Sequence, residues 1–140
     1  MSNFKELILD VMNDKGKTLK DLESDNILGK NTFYTFNKIT PSLTTIIKIS
    51  NYLNVPIDYL LFKSTDETFR KYKLNQSSFY NKLNAEIKSM GISQVKLCKD
   101  LNISRTNLSR WKNGTNPTLT KLISLAEYLN CNIDDLLEHE

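Results

Sequence analysis

The sequence predicts an all-α protein made of two tandem five-helix domains joined by a short helical connector. Three observations predict it. The segment Pro41–Leu61 recurs in pattern as Pro117–Leu137, each residue number raised by 76. A repeat of that length is one whole small domain rather than one unit of a solenoid. Apolar residues recur at steps of three and four, and no stretch alternates at period two, so helices are expected and strands are not. Glycine, Asn-Gly, proline, serine and threonine punctuate the apolar runs where helices should stop and start.

Upstream of Pro41 the match continues with a shift of one residue. Phe4 pairs with Phe79, Gly16 with Gly91, Leu22 with Leu97, Asp25 with Asp100 and Phe36 with Trp111. The single gap falls between Phe36 and Pro41, in a turn, where an extra residue costs least. The domains are thus set at residues 1–62 and 77–140, with residues 63–76 between them. Each copy holds about sixty residues, close to the lower limit for folding without disulfides or metals.

In the connector, Ser64 and Glu67 make a capping-box pattern. Phe69, Tyr72 and Leu74 could share one face of a short helix, and the segment has no glycine or proline to make it a flexible tether. The second copy is the clearer text. Ser77 or Ser78 caps a first helix carrying Phe79, Leu83 and Ile87, which Gly91 ends. Ser93 caps a second helix whose apolar side is Val95, Leu97, Cys98 and Leu101. After the Asn102-Ile103 turn, Ser104 caps a third helix with Leu108 and Trp111 turned inward, and Asn113-Gly114 stops it. Pro117 and Thr118 open a fourth helix with a wide apolar face, and Ile133, Leu136 and Leu137 close the bundle as a short fifth.

Composition narrows the function. No apolar run approaches the ~20 residues of a membrane span, and the start of the chain lacks the features of a signal peptide. A cytoplasmic protein with no membrane partner is expected. The two cysteines, Cys98 and Cys131, read as small core residues rather than ligands. The only histidine is His139, and no phosphate loop, metal cluster or nucleophile with a base can be assembled. Neither an enzyme nor a cofactor is expected. Abundant Lys, Asn and Ile point to a low-GC bacterium or its phages.

Two short helices joined by a tight turn form the middle of the second copy, and such a unit presents the start of its second helix to the DNA major groove. The second copy resembles the lambda-repressor/Cro-like helix-turn-helix family. The resemblance is carried by Gly91-Ile-Ser-Gln94, Ile103–Trp111, Asn113-Gly114 with Pro117-Thr-Leu119, and Leu125-Ala-Glu-Tyr-Leu129 with Ile133-Asp-Asp-Leu136. It implies a five-helix DNA-binding module of bacterial and phage repressors, with double-stranded DNA as partner and a homodimer as the usual assembly.

The same resemblance places Gln94 at the phosphate backbone or a base edge. Ser104, Arg105, Thr106 and Asn107 form the exposed first turn of the recognition helix, with Arg110 one turn further on and Lys112 at a phosphate. Arginine can donate two hydrogen bonds to guanine, whereas Ser104 has the simpler use of capping the helix. Between Lys96 and Lys112 stand Lys96, Lys99, Arg105, Arg110 and Lys112 against one acid, Asp100, so a chain of net charge +3 can still carry a basic face.

The first copy keeps the scaffold better than the site. Leu19 stands where the second has Gln94, Gly29 where it has Ser104, and Thr35 where it has Arg110. Weaker DNA contacts through Lys30, Asn31, Thr32 and Lys38 are one use for this copy. A protein-contact face around Leu19 and Tyr34 is the other. The leading function is a sequence-specific DNA-binding transcriptional regulator of repressor type. The alternative is a protein-interaction module on the same scaffold, such as an antitoxin, an anti-repressor or an inhibitor of a host defence enzyme.

Overall fold

Residues 4–30, 32–62 and 68–140 are described by a computed structural model. Among them are eight α-helices, two short 3-10 helices and no β-strand. The chain divides into two compact units, residues 1–74 and 75–140.

The first unit contains α1 (Phe4–Asp14), α2 (Leu19–Ser24), a 3-10 helix (Phe33–Asn37), α3 (Leu43–Leu53) and α4 (Ile57–Phe62). Helix α1 buries Ile8, Val11 and Met12. Thr18 and Asp21 form a capping box at α2, each accepting the other's backbone N–H at 3.2 and 2.9 Å. These bonds from Thr18 hold the Asp21 carboxyl below its ordinary range. Ser42 caps α3, which ends at Asn54 in the left-handed region (φ 56°).

The second unit contains α5 (Phe79–Met90), α6 (Gln94–Leu101), α7 (Arg105–Lys112), α8 (Leu119–Leu129) and a 3-10 helix (Ile133–Leu136). Its core gathers Phe79, Leu83, Leu97, Trp111, Leu122, Leu125 and Leu136. The same local devices recur in both units. Gly16 and Gly91 end the first helices at φ 69° and 71°. Thr18 and Ser93 cap the second helices, and Ser42 and Thr118 cap the fourth elements. Asn54 and Asn130 close those helices in the left-handed region. The Tyr52 hydroxyl donates to Asp25, and the Tyr128 hydroxyl to Asp100. This bond, with burial second, raises the Tyr52 phenol to about 12.

Three expectations are corrected. The described part of the connector, from Thr68, is not helical. Asn51 donates its side-chain N–H to the Tyr72 carbonyl at 3.0 Å and accepts the Tyr72 N–H at 2.9 Å. Backbone groups held this way cannot join a helical ladder. The Tyr72 ring is fully buried, and its hydroxyl accepts the Ile57 N–H at 2.8 Å, capping α4. Leu74 is exposed, so no shared face with Phe69 and Tyr72 exists. The Ser64–Glu67 capping box lies outside the described residues.

The second correction concerns α5. Ser78 precedes it without capping it through its side chain. The Glu138 carboxylate accepts the Ser78 N–H at 2.8 Å instead, a favourable place for an anion. Gln76 fixes that arrangement, donating to the Glu138 carbonyl at 2.9 Å and accepting the Glu138 N–H at 2.7 Å. Third, Val95 is 61% exposed, and Cys98, Cys131 and Leu101 are half-buried, so α6 docks chiefly through Leu97. The short closing helix expected at Ile133 is present, wound as a 3-10 helix over Ile133–Leu136.

Ser50 is fully buried on α3 and its hydroxyl has no hydrogen-bond partner among the described residues. The position raised by 76 is Ala126, also buried. An unsatisfied buried hydroxyl is a cost that alanine removes. Ser50→Ala is therefore expected to stabilise the chain by about 1 kcal/mol, read as a higher urea midpoint at unchanged m-value.

Candidate nucleic-acid interface

Helix α7 is positioned by what it turns inward. Leu108 and Trp111, three residues apart, are 8% and 4% exposed. The Trp111 ring meets Phe79 edge-on, with centroids 5.3 Å apart and planes at 88°, a favoured aromatic geometry. With that side fixed, Arg105, Thr106, Ser109, Arg110 and Lys112 are exposed and Asn107 is half-buried. The Ser104 hydroxyl oxygen accepts the Asn107 N–H at 3.2 Å, so it caps α7.

Helix α6 is tied at both ends. At its start the Ser93 oxygen accepts the Lys96 N–H at 3.1 Å. The Gln94 amide donates to the Tyr80 oxygen at 3.1 Å and to the Asn84 side-chain oxygen at 2.6 Å, both on α5. Hydrogen bonding to the Tyr80 oxygen, from Gln94 first and Asn84 second, holds the phenol below its ordinary value. At the far end Asp100 accepts from Tyr128 on α8. That bond, then the one from Lys96, holds the Asp100 carboxyl low. Left-handed Asn102 (φ 54°) and buried Ile103 make the corner between α6 and α7.

The local charge is positive. Lys96 lies 3.3 Å from Asp100, the one acid between Lys96 and Lys112, and Lys99 also acts on that carboxylate, while Lys99, Arg105, Arg110 and Lys112 are all exposed. Burial pushes the Cys98 thiol up against a smaller opposite pull from Arg105, so Cys98 is not an activated nucleophile. Among the described residues no group of histidine, cysteine and carboxylate side chains could hold a metal.

Sequence reasoning misses Tyr80 and Asn84. Their signal is the four-residue spacing on α5, which brings two polar side chains to one face, but the apolar stripe of the same helix overshadows it.

The corresponding part of the first unit is built differently. Its third element is a 3-10 helix of five residues rather than an α-helix. Gly29, where the second unit has Ser104, offers no capping oxygen, and Thr32 makes no side-chain cap. The Thr35 hydroxyl donates to the Thr32 carbonyl at 2.7 Å. Phe33 and Phe36 are both buried, with ring centroids 5.6 Å apart. Residues three apart lie one above the other on a 3-10 helix, so this aromatic pair suits the tighter winding. Lys30 and Lys38 are exposed and Thr32 is half-buried, while Asn31 lies outside the described residues. Leu19 is half-buried rather than exposed. Tyr34 is 56% exposed, with the Lys5 ammonium 5.1 Å from its ring centroid.

Residues 82–140 match the family of Cro/C1-type HTH DNA-binding domains, so the chain contains one such helix-turn-helix domain. The match takes in α6, α7 and α8, with Gln94, Arg105, Arg110 and Lys112. No curated protein and no solved structure matches the chain. Among the described residues no helix is long and apolar enough to cross a membrane.

The Asp100–Tyr128 bond has a pH signature. A carboxyl held low in the fold stabilises it above the unfolded-state pKa, and that contribution is lost as pH falls through the folded value. Tyr128→Phe removes the largest cause of the shift. The variant is expected to have a lower urea midpoint than the wild type at pH 7, with the gap narrowing as pH falls toward 2. A gap that stays constant across the acid range would contradict this.

Proposed function

From a Cro/C1-type domain at residues 82–140, we propose that the chain is a sequence-specific DNA-binding transcriptional regulator, a cytoplasmic repressor of phage or mobile-element type. The observation that carries the reading is the outward side of α7, where Arg105, Thr106, Arg110 and Lys112 are exposed opposite buried Leu108 and Trp111. In this reading α7 enters the major groove, Arg105 donates to a guanine, and Arg110 and Asn107 reach neighbouring base edges or sugars. Lys112 and the backbone at Asn113-Gly114 hold a phosphate, which sets register without reading sequence.

The first unit is, in the same proposal, a second copy of the fold whose DNA site has drifted. The order of elements and the recurring caps and Tyr–Asp bonds support common descent. The missing α-helix at Phe33–Asn37 argues for a weaker DNA contact through Lys30, Asn31, Thr32 and Lys38, or none. With one good reading head per chain, the active species is a homodimer on a near-palindromic operator. The second reading, a protein-interaction module on this scaffold, draws on one observation: Tyr34 and Ile39, 56% and 62% exposed, lie in and just after the 3-10 helix of the first unit.

Selection from genomic fragments followed by affinity measurement tests the proposal. Arg105→Ala with Arg110→Ala is expected to abolish operator binding, while Lys30→Ala has a smaller effect. A wild-type chain that selects no sequence and shows no salt-dependent affinity would sink the regulator reading and favour the protein-interaction module. Light scattering at micromolar concentration is expected to give the mass of a dimer, and a monomeric mass would count against that assembly.

A further inference from the structure

A groove of about 380 Å³ lies along the second unit, with Tyr80, Gln94, Arg105, Ser109 and Lys112 as its polar lining. It therefore joins residues of α5, α6 and α7. Its walls include a hydroxyl pair, a guanidinium and an ammonium but no carboxylate. That is a lining for an anion.

The hydrogen bonding within it is directional. Gln94 spends its side-chain NH2 on the Tyr80 oxygen and on Asn84 Oδ1. Since the Tyr80 oxygen accepts that bond, its own proton is left for another acceptor. A tyrosine hydroxyl can accept and donate at once. The two bonds to α5 also fix where that proton is delivered, because Gln94 is anchored as the first residue of α6.

We propose that this groove seats a phosphate of the DNA backbone, with the Tyr80 hydroxyl and the Lys112 ammonium as its donors and Gln94 as the residue that positions Tyr80. The assignment rests on the DNA-binding reading above and adds a contact from α5, outside the helix-turn-helix itself. It also gives Gln94 a different part from direct base reading: its amide hydrogens are occupied within the protein. The seat sets the depth of α7 in the groove and is indifferent to sequence, since phosphate contacts carry no base information.

The test measures affinity of the full chain for its selected operator and for a random duplex across a salt series. Tyr80→Phe is expected to weaken both about tenfold. Its salt slope should equal the wild type's, because tyrosine carries no charge, whereas Lys112→Ala lowers the slope by about one. Gln94→Ala should weaken binding comparably, and the double variant should lose no more than either single one, as coupled residues do. Thermal unfolding of Tyr80→Phe checks that the fold is kept. Independently of folding, a single neutral methylphosphonate at the seated position should weaken wild-type binding more than that of Tyr80→Phe, in which only the Lys112 contact is left to lose, and equal losses would contradict the seat. If Tyr80→Phe binds as tightly as wild type while Arg105→Ala with Arg110→Ala does not bind, the seat is wrong and the regulator reading stands. If the wild type shows no salt-dependent DNA binding, both fall. Saturable binding of inorganic phosphate that Tyr80→Phe weakens, with DNA affinity unchanged in the same variant, would mean a free-anion site and overturn the backbone assignment.

Discussion

What the second unit shows to its surroundings is dictated by two side chains it hides, Leu108 and Trp111. Helix α7 has only eight residues, too few to be stable alone in water. Its existence depends on burying those two side chains against a core that includes Phe79. Once they are seated, helical geometry leaves no freedom over the rest. Arg105, Thr106, Arg110 and Lys112 must face away, and the Ser104 cap fixes where the helix begins. The bonds from Gln94 to α5 and from Asp100 to α8 then hold the neighbouring helix, so the two arms of the motif are positioned by separate anchors.

The first unit shows how much depends on that anchoring. It keeps aromatic residues at the same inward places, Phe33 and Phe36, and buries both. It lacks the capping oxygen at Gly29, and its short helix is wound as 3-10. The inward side of this element resembles that of α7, while its outward side is shorter, uncapped and carries fewer cations.

Much of this is legible locally. Gly91, Ser93, Ser104 and Thr118 mark helix ends through contacts within a few residues, and the structure places caps at each. The inward role of Trp111 follows from its spacing to Leu108. The interactions that escape the sequence join residues far apart in the chain. Glu138 caps α5 from sixty positions away, and Asn51 holds Tyr72 from twenty-one. No periodicity encodes such pairs, so the apolar spacing of the connector suggests a helix although its backbone is claimed by Asn51. The Tyr80–Gln94–Asn84 cluster is hidden for a similar reason: polar residues on a helix look like solvated surface until the partner helix is in place.

The proposed DNA contact lies on the second unit, through α6, α7 and the groove beside them. Amide chemical-shift mapping of the isotope-labelled full chain, titrated with duplex DNA at low salt, tests that most directly. The account predicts that the largest perturbations fall between Gln94 and Gly114, with Tyr80 beside them and the first unit changing little. Perturbations centred on residues 18–38, or none at saturating duplex, would contradict it.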